Sequence, residues 1–153
     1  MIRLANEKDI ERLVFLRLEY FKEAYEVFPE DKKHILEGKL STYFSEHLNK
    51  DCFAVVFERG GEISSCGLLN ILGKAPNLRN LSGKYGEIYG VYTLPECRRN
   101  GNATAIIEFI KSIAVRQECS FLMLEASKEG IGVYKKCGFK IDNFDYVNLK
   151  LFL

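Results

Sequence analysis

The sequence predicts a mixed α/β domain in which one sheet is flanked by helices, and three observations carry that prediction. Residues 87–114 read as strand, tight polar turn and helix, and a further strand follows, the pattern of a crossover connection. Residues 52–58 and 63–72 read as two antiparallel strands around Gly60-Gly61, a two-residue hairpin turn. Ile10, Leu13, Val14, Leu18 and Phe21 recur at steps of three and four, the period of a helix with one apolar face.

Each element has a local reason. Residues 2–4 suit a short opening strand, and Asn6 suits a helix N-cap, with Glu7 and Asp9 in the first turn where the helix dipole favours negative charge. The stripe that follows opposes a face of Glu11, Arg12, Glu19 and Lys22. Pro29 interrupts the pattern, and a second helix is expected over about residues 31–47, burying Ile35, Leu36, Leu40, Tyr43 and Phe44 with His34 on its polar face. Residues 73–84 hold Pro76, Asn77, Asn80, Ser82 and Gly83 and read as a mobile loop before a strand at 85–93. The next helix starts near Thr104, sets Ala103, Ile106, Ile107, Ile110 and Ala114 on one side, and ends near Glu118. Residues 120–125 suit a buried strand; a short helix over 131–137 ends at Gly138, a natural C-cap position, and Phe139 starts the return to the sheet. Residues 146–153 alternate Val147, Leu149 and Leu151 against Asn148 and Lys150, a last strand with one wet face. Its exposed face or edge is open to a homodimer.

With 153 residues and 47% hydrophobic content, the chain suits a single domain over residues 1–153 whose core needs no staples. Lys and Arg number 22 against 21 Asp and Glu, a formal charge of +1, so no large field favours nucleic acid or an anionic membrane. The five cysteines, at 52, 66, 97, 119 and 137, are widely spaced without a Cys-x-x-Cys pair, and only two histidines could join them, so no metal is implied. The first residues lack an apolar signal-peptide core and no apolar run approaches membrane-spanning length, which points to a cytoplasmic protein with reduced thiols.

The turn before the third helix carries the first functional signal. Arg98 and Arg99 sit in it, and Gly101 with the small Ala103 lets a ligand approach the backbone where the free amides of the new helix point outward. Amides from about Arg99 to Thr104, through Asn100, Gly101, Asn102 and Ala103, would hold an anion, most simply a phosphate. A P-loop would need Gly-Lys-Ser/Thr, but Gly101 is followed by Asn102.

Taken together with Tyr134-Lys135-Lys136-Cys137-Gly138-Phe139, this turn makes the chain resemble the GNAT superfamily of N-acetyltransferases. Arg98-x-x-Gly101-x-Ala103 matches the family's Arg/Gln-x-x-Gly-x-Gly/Ala signature for the acetyl-CoA pyrophosphate, and the later segment matches its Tyr-x-x-x-Gly-Phe ending. Element order agrees along the whole chain, with motif-level agreement over residues 87–139. The resemblance implies a mixed, mostly antiparallel GNAT-like sheet with splayed central strands that bind acetyl-CoA as co-substrate. Asn102 is more polar than the usual residue between the two small ones.

In the family the strand before the turn bulges, and its exposed amides bind the pantetheine arm and polarise the thioester carbonyl. By resemblance these fall at Val91 and Thr93, with Tyr92 between them and Tyr89 on the same strand. Negative charge develops on the carbonyl oxygen during attack, and one fixed N–H there is worth roughly 2.7 to 4 kcal/mol. Gly90 fits either such a bulge or close packing against a neighbouring element.

The attacking amine must be neutral. A lysine amine titrates near 10.4 and an α-amino group at about 7.7 to 8.0, so a base matters far more for a lysine-like acceptor. Glu87, eleven positions before Arg98, falls where some relatives keep a catalytic glutamate; a solvated strand end is the plain alternative. His34 is more simply a solvated or packed histidine. Tyr134 is the candidate acid that protonates the leaving thiolate, although some relatives carry Phe at this place. Ser127 falls where relatives often place an asparagine that touches the coenzyme. Cys97 and Cys137 sit beside the motifs, but the family transfers directly, and such thiols are usually inert.

The expected activity is transfer of the acetyl group of acetyl-CoA directly to a primary amine of an unidentified acceptor. The alternative is a GNAT-like module that binds acyl-CoA or CoA as a sensor or scaffold without catalysis. Transfer to a protein N-terminus or lysine would call for an open groove flanked by residues 21–40 and 73–84. No motif in residues 19–47 or 73–84 identifies the acceptor; a cationic one would suit Glu19, Glu23, Glu26, Glu30 or Glu37 if these line the cleft.

Overall fold

In the computed structural model, which describes residues 1–142 and 149–153, five strands form one sheet in the order β1-β2-β3-β4-β5. The strands are β1 (Ile2–Leu4), β2 (Cys52–Arg59), β3 (Glu62–Gly73), β4 (Lys84–Thr93) and β5 (Leu122–Leu124). The helices are α1 (Ile10–Ala24), α2 (Lys33–His47), α3 (Asn102–Arg116) and α4 (Ile131–Lys136). The first four strands pair antiparallel, whereas β4 and β5 run parallel with α3 as their crossover. The sheet is therefore mixed and mostly antiparallel, as the sequence predicts.

Successive strand residues face opposite sides, and both sides are covered, so β2 and β3 bury both parities. Ala54, Val56, Cys66, Leu68 and Tyr92 pack with Leu13 and Leu16 of α1 and Phe44 of α2. Phe53, Val55, Leu69 and Ile88 pack with Ile106, Ile107 and Ile110 of α3 on the other side. Burying each large aliphatic side chain stabilises the fold by about 1.5 to 3 kcal/mol relative to exposure.

The entry to α1 is a reciprocal cap. Asn6 Oδ1 accepts from the Lys8 amide at 3.0 Å, and the Asp9 carboxylate accepts from the Asn6 amide at 2.8 Å. Arg3 donates to Asp9 at 2.6 and 3.0 Å and to Glu58 at 2.6 Å, tying β1 to the helix start and to β2. A tight turn at Glu7–Asp9 intervenes before α1 proper, and a similar one at Glu30–Lys32 precedes α2.

Several expectations are corrected. In α2 only Phe44 is buried and Ile35 is 61% exposed, because the helix packs chiefly against α1 and sends only Leu40, Tyr43 and Phe44 toward the core. β5 is shorter than residues 120–125 and is not buried, since Phe121 and Met123 are both 44% exposed. Helix α3 begins at Asn102 rather than near Thr104. The loop over residues 74–83 is closed at its neck by Lys74 N–H to Gly83 O at 2.7 Å, with Asn77 and Asn80 exchanging backbone bonds of 3.0 Å. Of the expected last strand, residues 146–148 lie outside the described residues, and residues 149–153 adopt no strand and are exposed.

Candidate active site

The anion turn is built by two residues in left-handed backbone. Arg99 has φ +62° and Gly101 φ +79°, and Gly101 forms the N-cap of α3. A Cβ at Gly101 would meet nothing within 4 Å, so the glycine is needed for its backbone conformation and not for space. The first helical bond runs from Ala105 N–H to Gly101 O at 3.0 Å, which leaves the amides of Gly101, Asn102, Ala103 and Thr104 without intrahelical acceptors. They form a donor cluster at the positive end of α3, suited to a phosphate.

The side chains of the turn are mostly engaged elsewhere. Arg98 grips both carboxylate oxygens of Glu23 at 2.8 and 2.7 Å and donates from Nε to Thr93 O at 2.9 Å, so its charge is balanced by α1. Tyr92, buried, also donates to Glu23, at 2.6 Å. These two donors hold the Glu23 carboxyl below its usual value, Tyr92 contributing most. Asn100 Nδ2 donates to Cys97 O at 3.2 Å. Asn102, the polar departure from the family signature, is buried and donates to Ser65 Oγ at 3.0 Å, anchoring the start of α3 on β3.

β4 outruns its parallel neighbour. The ladder to β5 ends at the pair Ile88 and Leu124, while β4 continues to Thr93. Leu94 N–H donates to Ser64 O at 3.0 Å on the β3 side, so by alternation the Thr93 amide points to the opposite side, where β5 is absent. The β3–β4 register slips between Cys66 and Leu68, setting Gly90 and Val91 against Gly67, with Gly90 at φ +57°. This is a bulge with glycine at its left-handed position, and it coincides with close packing, because a Cβ at Gly90 would collide with Arg17 Nη1. Both readings of Gly90 hold at once.

On the α1–α2 face, β3 and β4 present Leu68, Asn70, Glu87 and Tyr89 to a cleft of about 450 Å³, completed by Arg17, Leu40 and Tyr43. Asn70 and Glu87 are cross-strand partners, as are Leu68 and Tyr89. Tyr43 and Tyr89 each donate to Asn70 Oδ1 at 3.1 Å. Burial raises both phenols above their ordinary range, so they stay protonated. Glu87 is half-buried and makes no hydrogen bond or ion pair among the described residues, leaving its carboxylate free toward the cleft.

Tyr134 of α4 packs on the α3 side, edge-on to Phe139 at 6.1 Å. Burial pushes its phenol upward, and the neighbouring Tyr20 and Cys137 add to the effect. It remains a proton donor at neutral pH. Ser127 Oγ accepts from the Gly130 amide at 3.1 Å and so shapes the turn into α4. All five cysteines are free, and burial pushes the Cys137 thiol up, away from thiolate chemistry. His34 is exposed and lies outside the cleft, on α2 near Glu37 at 3.2 Å. Among the described residues no group of three or more His, Cys, Asp or Glu could hold a metal, and no helix is long and apolar enough to cross a membrane.

Arg17, Tyr43 and Asn70 escaped the sequence reading as site residues. Their signal lay in parity: Arg17 stands four after Leu13 and three after Val14, on the apolar stripe, and Asn70 shares its strand face with Leu68 and Cys66. A polar side chain at a core position was the clue.

Comparison with known proteins identifies the family and agrees with the fold. The family model described as Acetyltransferase (GNAT) family matches residues 11–139. Comparison with curated proteins gives no match. Among solved structures, a predicted acetyltransferase with acetyl-CoA from Clostridium acetobutylicum superposes with TM-score 0.83 at 28% identity, covering 98% of this chain and 95% of that one. A GCN5-related N-acetyltransferase from Ralstonia eutropha JMP134 gives 0.78 at 19% identity, covering 97% of each chain. Glucosamine-6-phosphate N-acetyltransferase from Arabidopsis thaliana gives 0.70 at 22% identity, again covering 97% of each. A family match over most of the chain, on a sheet with a bulged β4 and a glycine-capped crossover helix, establishes that the chain belongs to the GNAT family of acetyltransferases.

Proposed function

We propose that this acetyltransferase passes the acetyl group of acetyl-CoA directly to a primary amine held in the cleft on the α1–α2 face. The observation that carries this reading is β4 itself. It runs from Glu87 in the cleft, through the bulge at Gly90, to the unpaired Thr93 amide and on to the anion turn at Gly101. One strand thus connects a candidate base, candidate oxyanion donors and a phosphate cradle. The C. acetobutylicum neighbour, described with acetyl-CoA, supports the choice of donor.

In this reading the amides of residues 101–104 hold the pyrophosphate and Arg99, which has no ion pair among the described residues, adds charge. The Val91 and Thr93 amides stabilise negative charge on the thioester oxygen as the amine nitrogen attacks. The C–N bond forms and the C–S bond breaks. Glu87 takes the ammonium proton before attack, directly or through water; Tyr134 donates a proton to the departing thiolate sulfur, and the second proton that nitrogen sheds on becoming an amide restores the phenol through solvent. Arg98, Tyr92 and Glu23 keep β4 and the turn in register with α1, and Ser127 sets the position of Tyr134.

The test is a panel of primary amines with acetyl-CoA, following free thiol, beside calorimetric binding of acetyl-CoA. Saturable acetyl-CoA binding with thiol release dependent on one amine class is expected. Tight binding with no transfer to any amine would replace this reading by a coenzyme-binding module.

A further inference from the structure

We infer that the acceptor is a small primary amine that also carries an acidic group, and that Arg17 receives that group. This inference rests on the cleft being the acceptor side of the acetyl-transfer site. Arg17 is 8% exposed, and its Nε and Nη1 are buried without a hydrogen-bond partner. Its guanidinium lies against the rings of Phe21 at 4.5 Å, Tyr20 at 5.1 Å and Tyr89 at 5.7 Å. Three other arginines have acceptors: Arg3 of β1 has Asp9 and Glu58, Arg12 of α1 has the Ile63 carbonyl, and Arg98 of the anion turn has Glu23. Arg17 has none among the described residues, although Glu87 lines the same cleft.

A buried cation is ordinarily paired, because removal from water disfavours the charged form unless an anion compensates. Three aromatic faces offset part of that cost and leave the net charge standing. The missing anion is supplied when the cleft is filled. Glu87 and Arg17 then present opposite charges to one ligand, the carboxylate toward the amine and the guanidinium toward a carboxylate or phosphate. The phenols of Tyr43 and Tyr89 and the amide of Asn70 add neutral hydrogen-bonding groups between them. A polyamine or other purely cationic acceptor would meet Arg17 with like charge.

The test uses the full chain with CoA bound and matched amines: β-alanine, 2-aminoethyl phosphate and propylamine, with phenylalanine against 2-phenylethylamine. Binding is read from the ¹⁵N shift of Arg17 Nε in the wild type and by calorimetry in the wild type and both variants, independently of turnover. The acidic members are expected to shift Arg17 Nε saturably and to bind at least tenfold more tightly than their partners without an acidic group. The carboxylate and phosphate arms identify which acid fits. Arg17→Gln should erase that preference while Arg17→Lys keeps part of it, both retaining the melting-temperature increase on acetyl-CoA binding. The inference is overturned if no acidic amine shifts Arg17, or if the preference for acids survives in Arg17→Gln. Saturable binding at Arg17 by an amine that releases no thiol from acetyl-CoA would remove the transferase reading and leave Arg17 as the acid-binding group of the cleft.

Discussion

Replacing Gly90 with alanine would strain the structure in two separable ways. Its backbone sits at φ +57°, where a Cβ costs about 1 to 2 kcal/mol. The new methyl would also collide with Arg17 Nη1, while Leu68, 3.4 Å from the Cβ position, would be in ordinary contact. Overpacking of that kind adds about 1 to 3 kcal/mol, so the expected loss is about 2 to 5 kcal/mol. Urea denaturation followed by circular dichroism measures it. Gly38→Ala is the control, because a Cβ there meets nothing within 4 Å in the interior of α2. It should gain about 0.5 to 1 kcal/mol. In an Arg17→Ala background the collision with Nη1 is gone, and Gly90→Ala should then cost little beyond its backbone share, a coupling of about 1 to 3 kcal/mol. Identical costs in both backgrounds would refute contact between the bulge and Arg17.

Three further outcomes are expected. Glu87→Gln should lower kcat/KM near neutral pH by about 10² to 10⁴, and leave the denaturation midpoint unchanged because no bond of the carboxylate is lost; undiminished kcat/KM would remove the base. Tyr134→Phe should lower kcat across the pH range, and because burial holds the phenol above its usual 10.0, wild-type turnover should keep this acid through pH 10. Turnover equal to wild type at every pH would end that assignment. Asp9→Asn should destabilise the fold by about 1 to 3 kcal/mol by weakening the acceptors of Arg3 and Asn6. Arg3 holds the native Asp9 carboxyl below its usual 3.8, so the native state binds fewer protons there than the unfolded chain. The Asp9 contribution is therefore full above pH 3.8 and lost as pH falls through the lower native value, and the variant should show a flatter acid limb in urea titrations.

Elements set by local chemistry were legible from the chain alone. The Asn6 cap, the hairpin at Gly60-Gly61, the apolar faces of α1 and α3 and the glycine ahead of α3 each depend on neighbours a few residues away, and all appear in the structure. The burial of α2 and β5 did not follow from sequence, because Ile35 and Met123 are apolar by type but exposed by what packs over them. Among candidate site residues, the sequence marked Gly101 and Glu87 through motif spacing. The partner of Arg98 and Tyr92 was not legible, because both side chains meet Glu23 on a helix 75 and 69 positions earlier.

By itself the sequence determined the anion turn at the start of α3. A cradle of backbone amides needs only a left-handed residue and a helix start, which are encoded within a few consecutive positions. The cleft proposed for the acceptor was assembled by the tertiary structure, with only Glu87 legible beforehand. Arg17 from α1, Tyr43 from α2, Asn70 from β3 and Glu87 from β4 meet only when the sheet forms and both helices cross its face. Charge balance at such a place depends on distance and burial, which no local pattern records: the same folding step that gives Arg98 its carboxylate leaves Arg17 buried without one.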